Sequence, residues 1–212
     1  MDPSSEHTNV GADYSHDGTI LFYVDDVPSF VIPDTVKEID LFAFKDCRSL
    51  KEVRIPDSVT FIGSSAFEGC VSLGLVHIPA SVRLIEDYAF AGCVSARFEV
   101  DEGNECYSSE DGALYDKDGK VLIAGFPLVH DGKCEIPDHV TRIGNSAFDC
   151  CTSLKEMRIH TSVTDIEENA FDDCGFVYFT VNRRNQYYYS TRYGELIKYR
   201  CSGLHRASSA RR

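Results

Sequence analysis

The amino-acid sequence predicts an α/β repeat solenoid, in which similar turns stack on one another around a shared core. The stretch IPDSVTFIGSSAFEGC begins at Ile55, and a similar stretch, IPASVRLIEDYAFAGC, begins 23 residues later at Ile78. Five units of this kind occur, and a period of this size indicates a solenoid. The composition, 43% hydrophobic and 26% charged, is typical of a globular chain that can bury a sizeable core.

The units form two runs along the chain. The first run begins at Ile32, Ile55 and Ile78, and the second begins at Ile136 and Ile159. Each unit carries apolar residues in three clusters, which a single unit cannot bury alone. Stacked copies bury them together, because strands of a ladder lie about 4.8 Å apart and like residues then meet like residues.

The end of each unit predicts a strand of a parallel ladder. In the second unit, the alternation of a strand places Val76 and Ile78 inward and Leu75 and His77 outward. Pro79 follows directly and lacks an N–H group, so the pairing is expected to end there.

The segment before Ala-Phe in each unit predicts a single helical turn on the opposite, convex side. Its small polar pair, for example Ser64 and Ser65 or Asn145 and Ser146, has the residue types that cap a helix. Phe67 is then expected to enter the core from this side.

The repeated pattern I-P-x-x-V-x-x-I-x-x-x-A-F-x-x-C-x-S-L-x-x-V resembles the BspA-type leucine-rich repeat. Units from Ile32 to Val100 and from Ile136 to Val181 carry the pattern directly. The resemblance implies a leucine-rich repeat solenoid with a parallel β ladder on a concave face and short helical turns on the convex face. It also implies adhesion at the cell surface or binding of a host protein.

A second type of segment interrupts and follows the repeats. In residues 101–135, the stretches Ala113–Tyr115 and Lys120–Phe126 flank the sequence DKDG, which predicts a β-hairpin with an Asp-Gly turn. Part of this segment is repeated near the C-terminus: Asn104, Tyr107, Ser109, Gly112 and Leu114 correspond to Asn185, Tyr188, Ser190, Gly194 and Leu196.

The predicted domain organisation is one solenoid over residues 14–201. Residues 101–135 form an irregular turn within it, and residues 182–201 form a C-terminal cap that covers apolar surface. Residues 1–13 and the basic residues 202–212 are expected to be disordered tails.

The net charge of −13 is unevenly distributed. Residues 181–212 hold eight Lys or Arg and one acidic residue, whereas the first 180 residues hold 13 basic and 33 acidic residues. An acidic body repels nucleic acid and anionic membranes, so neither is expected as a partner except through the tail.

The sequence shows neither a secretory signal nor a membrane span. Its start is acidic, and no stretch approaches the ~18 apolar residues of a spanning helix. Membrane insertion is therefore not expected. A cytoplasmic location is favoured on this ground, while the family resemblance implies the cell surface.

Five cysteines occupy the same repeat position, three residues after the Phe, and would form a column in stacked turns. They are Cys47, Cys70, Cys93, Cys151 and Cys174. A metal site and a disulfide ladder are possible functions of such a column. The absence of zinc-type spacing, the adjacent pair Cys150 and Cys151, and the odd total of nine favour buried, reduced thiols.

The remaining motifs favour a non-enzymatic protein without a metal or cofactor. Asp116, Asp118 and Gly119 resemble the start of a calcium loop, but Val121 and Pro127 stand where that loop needs Gly and Glu, so turn chemistry is favoured. The sequence has no nucleophile elbow, phosphate loop or dinucleotide fingerprint.

Alignment of the strands places outward-facing residues in two columns, which are the candidate protein-binding surface. The first column is Ser29, Glu52, Leu75, Arg97, Lys133, Glu156 and Tyr178, and the second is Val31, Arg54, His77, Glu99, Glu135, Arg158 and Thr180. Lys133 is expected to pair with Glu156, and Glu135 with Arg158. Such surface ion pairs contribute only ~0–1 kcal/mol each, so a solvated face without a partner is the alternative.

Two other surfaces are candidates for binding. One is the tyrosine-rich segment with Tyr187, Tyr188, Tyr189, Tyr193 and Tyr199, and the other is the hairpin tip Lys117 to Lys120. The sequence as a whole predicts a non-enzymatic module that binds a protein partner, with surface adhesion as in the family. The alternative is an intracellular scaffold or regulatory adaptor.

Overall fold

The computed structural model describes residues 11–199 and the backbone of residues 205–206. The first ten strands are β1 (Ala12–Tyr14), β2 (Ile20–Val24), β3 (Ser29–Val31), β4 (Glu38–Ile39), β5 (Glu52–Arg54), β6 (Phe61–Ile62), β7 (Leu75–Ile78), β8 (Leu84–Ile85), β9 (Arg97–Val100) and β10 (Tyr107–Glu110). The others are β11 (Ala113–Asp116), β12 (Val121–Ala124), β13 (Lys133–Glu135), β14 (Arg142–Ile143), β15 (Glu156–Ile159), β16 (Asp165–Ile166), β17 (Tyr178–Val181), β18 (Tyr188–Ser190), β19 (Leu196–Lys198) and β20 (His205–Arg206).

The predicted parallel ladder is present on one face of the solenoid. Strands β3 and β5, β7 and β9, and β13, β15 and β17 pair in parallel at the expected register. Val76 and Ile78 are fully buried, Leu75 and His77 are exposed, and β7 ends immediately before Pro79. The alternation that predicted these strands is therefore confirmed.

A second parallel ladder, which the sequence analysis missed, runs along another side of each turn. Strands β2, β4, β6 and β8 form it in the first run, and β12, β14 and β16 form it in the second. Each repeat contributes only two residues, of which the second is an isoleucine, as in Ile39 and Ile62. Two residues are too few to show the alternation that identifies a strand in sequence.

The predicted helical turns on the convex side are wrong. The only helical element in the described part of the chain is a 3-10 helix, Phe126–Leu128, so the fold there is a β-solenoid. Ser65 and Ser146, predicted to cap helices, both have a φ of 56°, which lies in the left-handed region and breaks a helix at that point.

Backbone groups on this side bond between turns. The N–H group of Phe67 donates to the carbonyl of Ala89 at 2.8 Å, and that of Phe148 donates to the carbonyl of Ala170 at 2.9 Å. Because alternate N–H groups of the segment find their partners in the next turn, a continuous helix does not form.

Phenylalanine rings fill the core from the convex side, as expected. The Phe67 ring is fully buried and stacks between Phe44 at 4.7 Å and Phe90 at 5.3 Å, measured between ring centroids. Phe148 and Phe171 stack in the second run at 5.5 Å. One connected cluster of buried side chains extends from Leu21 to Leu196.

The predicted hairpin in residues 101–135 is confirmed. Strands β11 and β12 pair antiparallel around the turn that contains Gly119, whose φ is 68°. Strand β10 pairs antiparallel with β11, and β12 pairs in parallel with β14 of the next run. One five-stranded sheet thus joins the insert to the second run.

Residues 101–116, here called the central module, close the end of the first run. The buried Asn104 side chain donates to the carbonyls of Pro79 and Val82 and accepts from the N–H groups of Cys106 and Tyr107. The Tyr107 hydroxyl accepts from the N–H of Ile85 at 2.6 Å, at the edge of the second ladder.

Residues 182–199, here called the C-terminal module, repeat this arrangement at the end of the second run. Asn185 donates to the carbonyls of His160 and Val163 and accepts from the N–H groups of Tyr187 and Tyr188. The Tyr188 hydroxyl accepts from the N–H of Ile166 at 2.7 Å. The repeat seen in the sequence is therefore a repeat of a hydrogen-bonded scaffold.

The structure places residues of both predicted tails in strands. Ala12 and Asp13 belong to β1, which pairs antiparallel with β2, and the backbone of β20 pairs with β19. The other residues predicted to form tails, apart from Gly11, lie outside the described part of the chain.

Candidate functional site

The outward residues of the strand ladder form the candidate site, here called the strand face. The register places Ser29 beside Glu52, Leu75 beside Arg97, and Lys133 beside Glu156 and then Tyr178. In the second column, Val31 lies beside Arg54, His77 beside Glu99, and Glu135 beside Arg158 and then Thr180.

The two predicted ion pairs of the strand face are present. The Lys133 ammonium lies 3.2 Å from the Glu156 carboxylate, and the Arg158 guanidinium lies 3.3 Å from the Glu135 carboxylate. These side chains are well exposed, so solvent screens the pairs. In the second run, the charges of these strand-face side chains therefore largely cancel one another.

The columns are interrupted between β9 and β13. The N–H of Phe98 donates to the carbonyl of Gly112 at 2.8 Å, and the N–H of Val100 donates to the Ser109 hydroxyl at 3.0 Å. The central module thus occupies the edge of β9. The predicted seven-residue columns are therefore divided among three hydrogen-bonded segments, β3 with β5, β7 with β9, and β13 with β15 and β17.

Two column residues pack on the modules. The Arg97 guanidinium lies over Gly112 and donates to the carbonyl of Asp111 at 3.0 Å. The Tyr178 ring lies over Gly194 in the same way. Both glycines have left-handed φ values, 82° and 79°, and at Gly194 an added Cβ would also lie 2.2 Å from the Tyr178 ring.

The first run carries the most exposed large apolar residue of the strand face. Leu75 is 54% exposed and lies beside Arg97 of β9, with Glu99 further along β9 and Glu52 on β5. His77 lies 3.1 Å from Asp101, and Arg54 lies 3.5 Å from Asp34. The surface around Leu75 therefore combines an apolar centre with charged groups at its border.

The tyrosine-rich segment divides into structural and exposed residues. Tyr188 is 1% exposed and serves the scaffold described above. Tyr187, Tyr193 and Tyr199 are exposed, and Tyr199 packs against the half-buried Tyr189 at 4.9 Å between centroids. Of these residues, Tyr193 directly precedes Gly194, over which the Tyr178 ring lies.

The hairpin tip is bound back to the body of the protein. Lys117 donates to the carbonyl of Asn104, and Lys120 donates to the carbonyl of His139 at 3.2 Å. The Asp116 carboxylate accepts from the N–H groups of Lys120 and Val121, which is the turn chemistry expected for this segment.

The repeat cysteines are buried, as the sequence analysis favoured. The thiols of Cys70 and Cys93 donate to the carbonyls of Phe44 and Phe67, both at 3.0 Å, and all eight cysteines of the described chain are free. Burial raises the pKa of Cys47 and Cys174 to about 12. Few of these thiols are ionised near neutral pH, so they act as small apolar side chains.

One group of potential metal ligands occurs among residues 11–199. Ligand atoms of Asp149, Cys150 and Asp173 lie within 4.8 Å of one another. Burial raises the pKa of Asp149 to about 6, with the carboxylates of Asp173 and Asp172 as further causes, and burial raises that of Cys150 to about 11. The sequence gives no signal for this group, because its members come from two different turns.

A small cleft of about 90 Å³ lies where the two runs meet. Its floor includes Ile85, Phe90 and Ile123, and its rim includes Glu86 and Arg142. Arg142 is paired with Glu167 through a 2.7 Å hydrogen bond, and Glu86 accepts from the N–H of Ser64. The charged groups that line the cleft are thus engaged in contacts within the protein.

The repeat pattern matches a known family over most of the chain. The BspA type leucine-rich repeat region matches residues 18–116 and 132–198 in six copies. The chain belongs to the BspA-type leucine-rich repeat family. The resemblance inferred from the Ile-Pro and Ala-Phe pattern is confirmed.

Solved structures of bacterial leucine-rich repeat proteins resemble this fold. A leucine-rich cell surface protein from Faecalibacterium prausnitzii A2-165 is 29% identical with a TM-score of 0.58, over 74% of this chain and 41% of its own. A leucine-rich repeat protein from Eubacterium ventriosum ATCC 27560 is 20% identical with a TM-score of 0.52, over 73% of this chain and 55% of its own. The chain thus spans less than two thirds of these proteins.

No protein of curated function matches the chain. Within the described residues, no helix has the length and apolar character needed to cross a bilayer.

Proposed function

We propose that this leucine-rich repeat protein is a non-enzymatic module that binds a protein partner through the strand face of its first run. The observation that carries the proposal is Leu75, a large apolar side chain left 54% exposed on strand β7, which pairs with β9. Neighbouring strands hold its surroundings in place, so binding costs little conformational entropy.

The chemistry around Leu75 suits a polypeptide surface. An apolar centre with a charged border is the usual arrangement of a protein–protein contact. Glu52 and Glu99 supply negative charge to this border, and charges at such positions influence the association rate and specificity more than the affinity.

Family membership supports an interaction role and bears on where it operates. The similar Faecalibacterium protein is described as a cell surface protein, which favours adhesion at the surface. An intracellular scaffold or adaptor would use the same binding surface. Labelling of intact native cells with a membrane-impermeant reagent separates the two settings, because an adhesin is labelled before lysis and a scaffold only after it.

The binding surface is tested by replacing Leu75 with a photo-crosslinking amino acid and identifying the captured polypeptides by mass spectrometry. Val71, which is 39% exposed and lies outside the ladder strands, is the matched control position. A partner captured at position 75 and not at 71 supports the proposal. The same polypeptides at both positions, or none at 75, contradict it.

A second variant tests whether the captured partner depends on the surface chemistry. Leu75→Glu with Glu99→Lys should abolish capture from a crosslinker at position 77, while Val71→Glu with Glu102→Lys should leave it unchanged. Both double variants alter exposed side chains only, so their melting temperatures should match that of the unmodified chain.

A further inference from the structure

The central and C-terminal modules share one scaffold but present different surfaces. The same buried Asn, the same Tyr hydroxyl and the same Gly carbonyl make equivalent hydrogen bonds in both. The scaffold therefore does not determine which residues are exposed, because two different sets of exposed residues occur on the same hydrogen-bonded scaffold.

The exposed residues differ in charge and in aromatic content. Residues 101–116 hold six carboxylates and neither Lys nor Arg, whereas residues 182–199 hold three Arg, one Lys and one Glu. At positions between the two scaffold residues Asn and Tyr, Glu105 and Cys106 correspond to Gln186 and Tyr187. Tyr193 precedes Gly194 where Asp111 precedes Gly112.

The arginines of the C-terminal module lack carboxylate partners among residues 11–199. Of the six other arginines in that range, five form ion pairs with Asp or Glu, and the sixth is Arg97, which binds a carbonyl. Arg192 instead lies over the Tyr193 ring at 4.5 Å, and Arg183 and Arg184 are exposed. Arginines without a carboxylate partner in the described range are unexpected in a chain with 34 acidic and 21 basic residues.

We propose that Arg192 and Tyr193, at the turn of the β18–β19 hairpin, and Arg183, Arg184 and Tyr187, before β18 at the other end of this hairpin, form an extended docking surface for an acidic segment of a partner polypeptide. Arginine and tyrosine dominate the energetics of protein interfaces, because they combine large apolar contact area with hydrogen-bonding groups. A guanidinium binds a carboxylate through two parallel hydrogen bonds, so an acidic peptide satisfies the arginines directly.

The charge of the rest of the protein favours a short acidic peptide over a nucleic acid. The first 180 residues hold 33 acidic and 13 basic residues and would repel an extended phosphate backbone. The site is separate from the strand face around Leu75, so this proposal and the proposed function can fail independently.

The test is selection of a random peptide library on the full chain, with a Leu75→Glu variant selected in parallel. Affinities of the enriched peptides are then measured by fluorescence polarisation. We expect enrichment of Asp- and Glu-rich peptides on both proteins. The R183E/R184E/R192E variant should bind them at least about tenfold more weakly, as should Y187A/Y193A.

The matched control is K37E/R48E/K51E, which has the same change in net charge on exposed residues of the first run. It should change the affinities by no more than about twofold. Thermal melts establish that every variant is folded, since all the substituted side chains are exposed.

Several results would overturn the proposal. These are enrichment of neutral or basic peptides, no enrichment at all, equal weakening by the control variant, or undiminished binding by R183E/R184E/R192E. Displacement of the peptides by oligothymidylate at a lower concentration than by free acidic peptide would assign the site to nucleic acid instead.

Discussion

Replacement of Asn104 by alanine should strongly destabilise the fold, because one buried amide serves four backbone groups. The side chain is 1% exposed and bonds the carbonyls of Pro79 and Val82 at 2.8 and 3.1 Å and the N–H groups of Cys106 and Tyr107 at 2.8 and 2.9 Å. Pro79 keeps a second bond, from the N–H of Val82, and the half-buried Cys106 can be hydrated.

Two backbone groups are then left without a partner, the carbonyl of Val82 and the N–H of Tyr107. Each such group costs about 1–3 kcal/mol, which gives a loss of about 2–6 kcal/mol in the free energy of unfolding. At the middle of this range the melting temperature falls by roughly 8–16 °C for a chain of this size.

The position of Asn104 between the two runs adds a second expectation. Stability in a repeat stack depends on contacts between neighbours, so weakening the central module should separate the unfolding of the first run from that of the second. Asn185→Ala removes the same four bonds at the end of the second run and should leave one main transition.

The assay is urea unfolding followed by circular dichroism, with Asn182→Ala as the control. Asn182 is exposed and its side chain accepts a single bond from the N–H of Arg184, so its loss should cost less than ~1 kcal/mol. If Asn104→Ala is as mild as Asn182→Ala, the amide does not hold the module, and the reasoning is refuted.

Three other substitutions test separate parts of the structure. Phe67→Ala should lower the free energy of unfolding by ~3–5 kcal/mol in urea, because the Phe67 ring is fully buried. Phe176 is 66% exposed, and Phe176→Ala should lower it by less than about 0.5 kcal/mol. Equal unfolding midpoints for the two variants would contradict the ring stack. Gly194→Ala should destabilise the fold more than Gly175→Ala in the same assay. Both glycines have left-handed φ values, 79° and 78°, but only the alanine at position 194 would place its Cβ 2.2 Å from the Tyr178 ring. Equal losses of stability would rule out that packing. Burial raises the pKa of Asp149 from 3.8 to about 6, so the folded chain binds this proton more tightly and stability should fall as pH rises through that window. Asp149→Asn should flatten the fall in a series of thermal melts, and an unchanged slope would mean that Asp149 is solvated.

The sequence predicts the strand ladder well because two independent periods agree there. A 23-residue repeat sets which strands are neighbours, and the alternation within Leu75–Ile78 sets which side chains face inward. Together they determine the register, and the ion pairs of Lys133 with Glu156 and Glu135 with Arg158 follow from it.

The convex side was predicted wrongly because local residue types do not report bonds between turns. Ser64 and Ser65 are good helix caps in isolation, but the Ser65 N–H donates to the carbonyl of Asp87 in the next turn. Stacking provides hydrogen-bond partners for a non-helical backbone. These partners lie in neighbouring turns, so they cannot be inferred from the local sequence.

The same limit applies to the candidate site. Alternation shows that Arg97 and Tyr178 face outward, but not that each lies across the glycine of a following module. Both residues come last in their run, where the next strand is replaced by a module edge. Their packing depends on Gly112 and Gly194. Each glycine lies some 15 residues after the side chain that packs on it, and the two glycines occupy the same position of the two modules.

Repetition also indicates which residues are free to carry function. A residue required by the scaffold recurs in both modules, as Asn104 and Asn185 do with the same four bonds. A residue that differs between them, such as Glu102 and Arg183, is not needed for the fold. Stability should therefore be insensitive to Arg183, and any loss on its replacement should appear in binding alone.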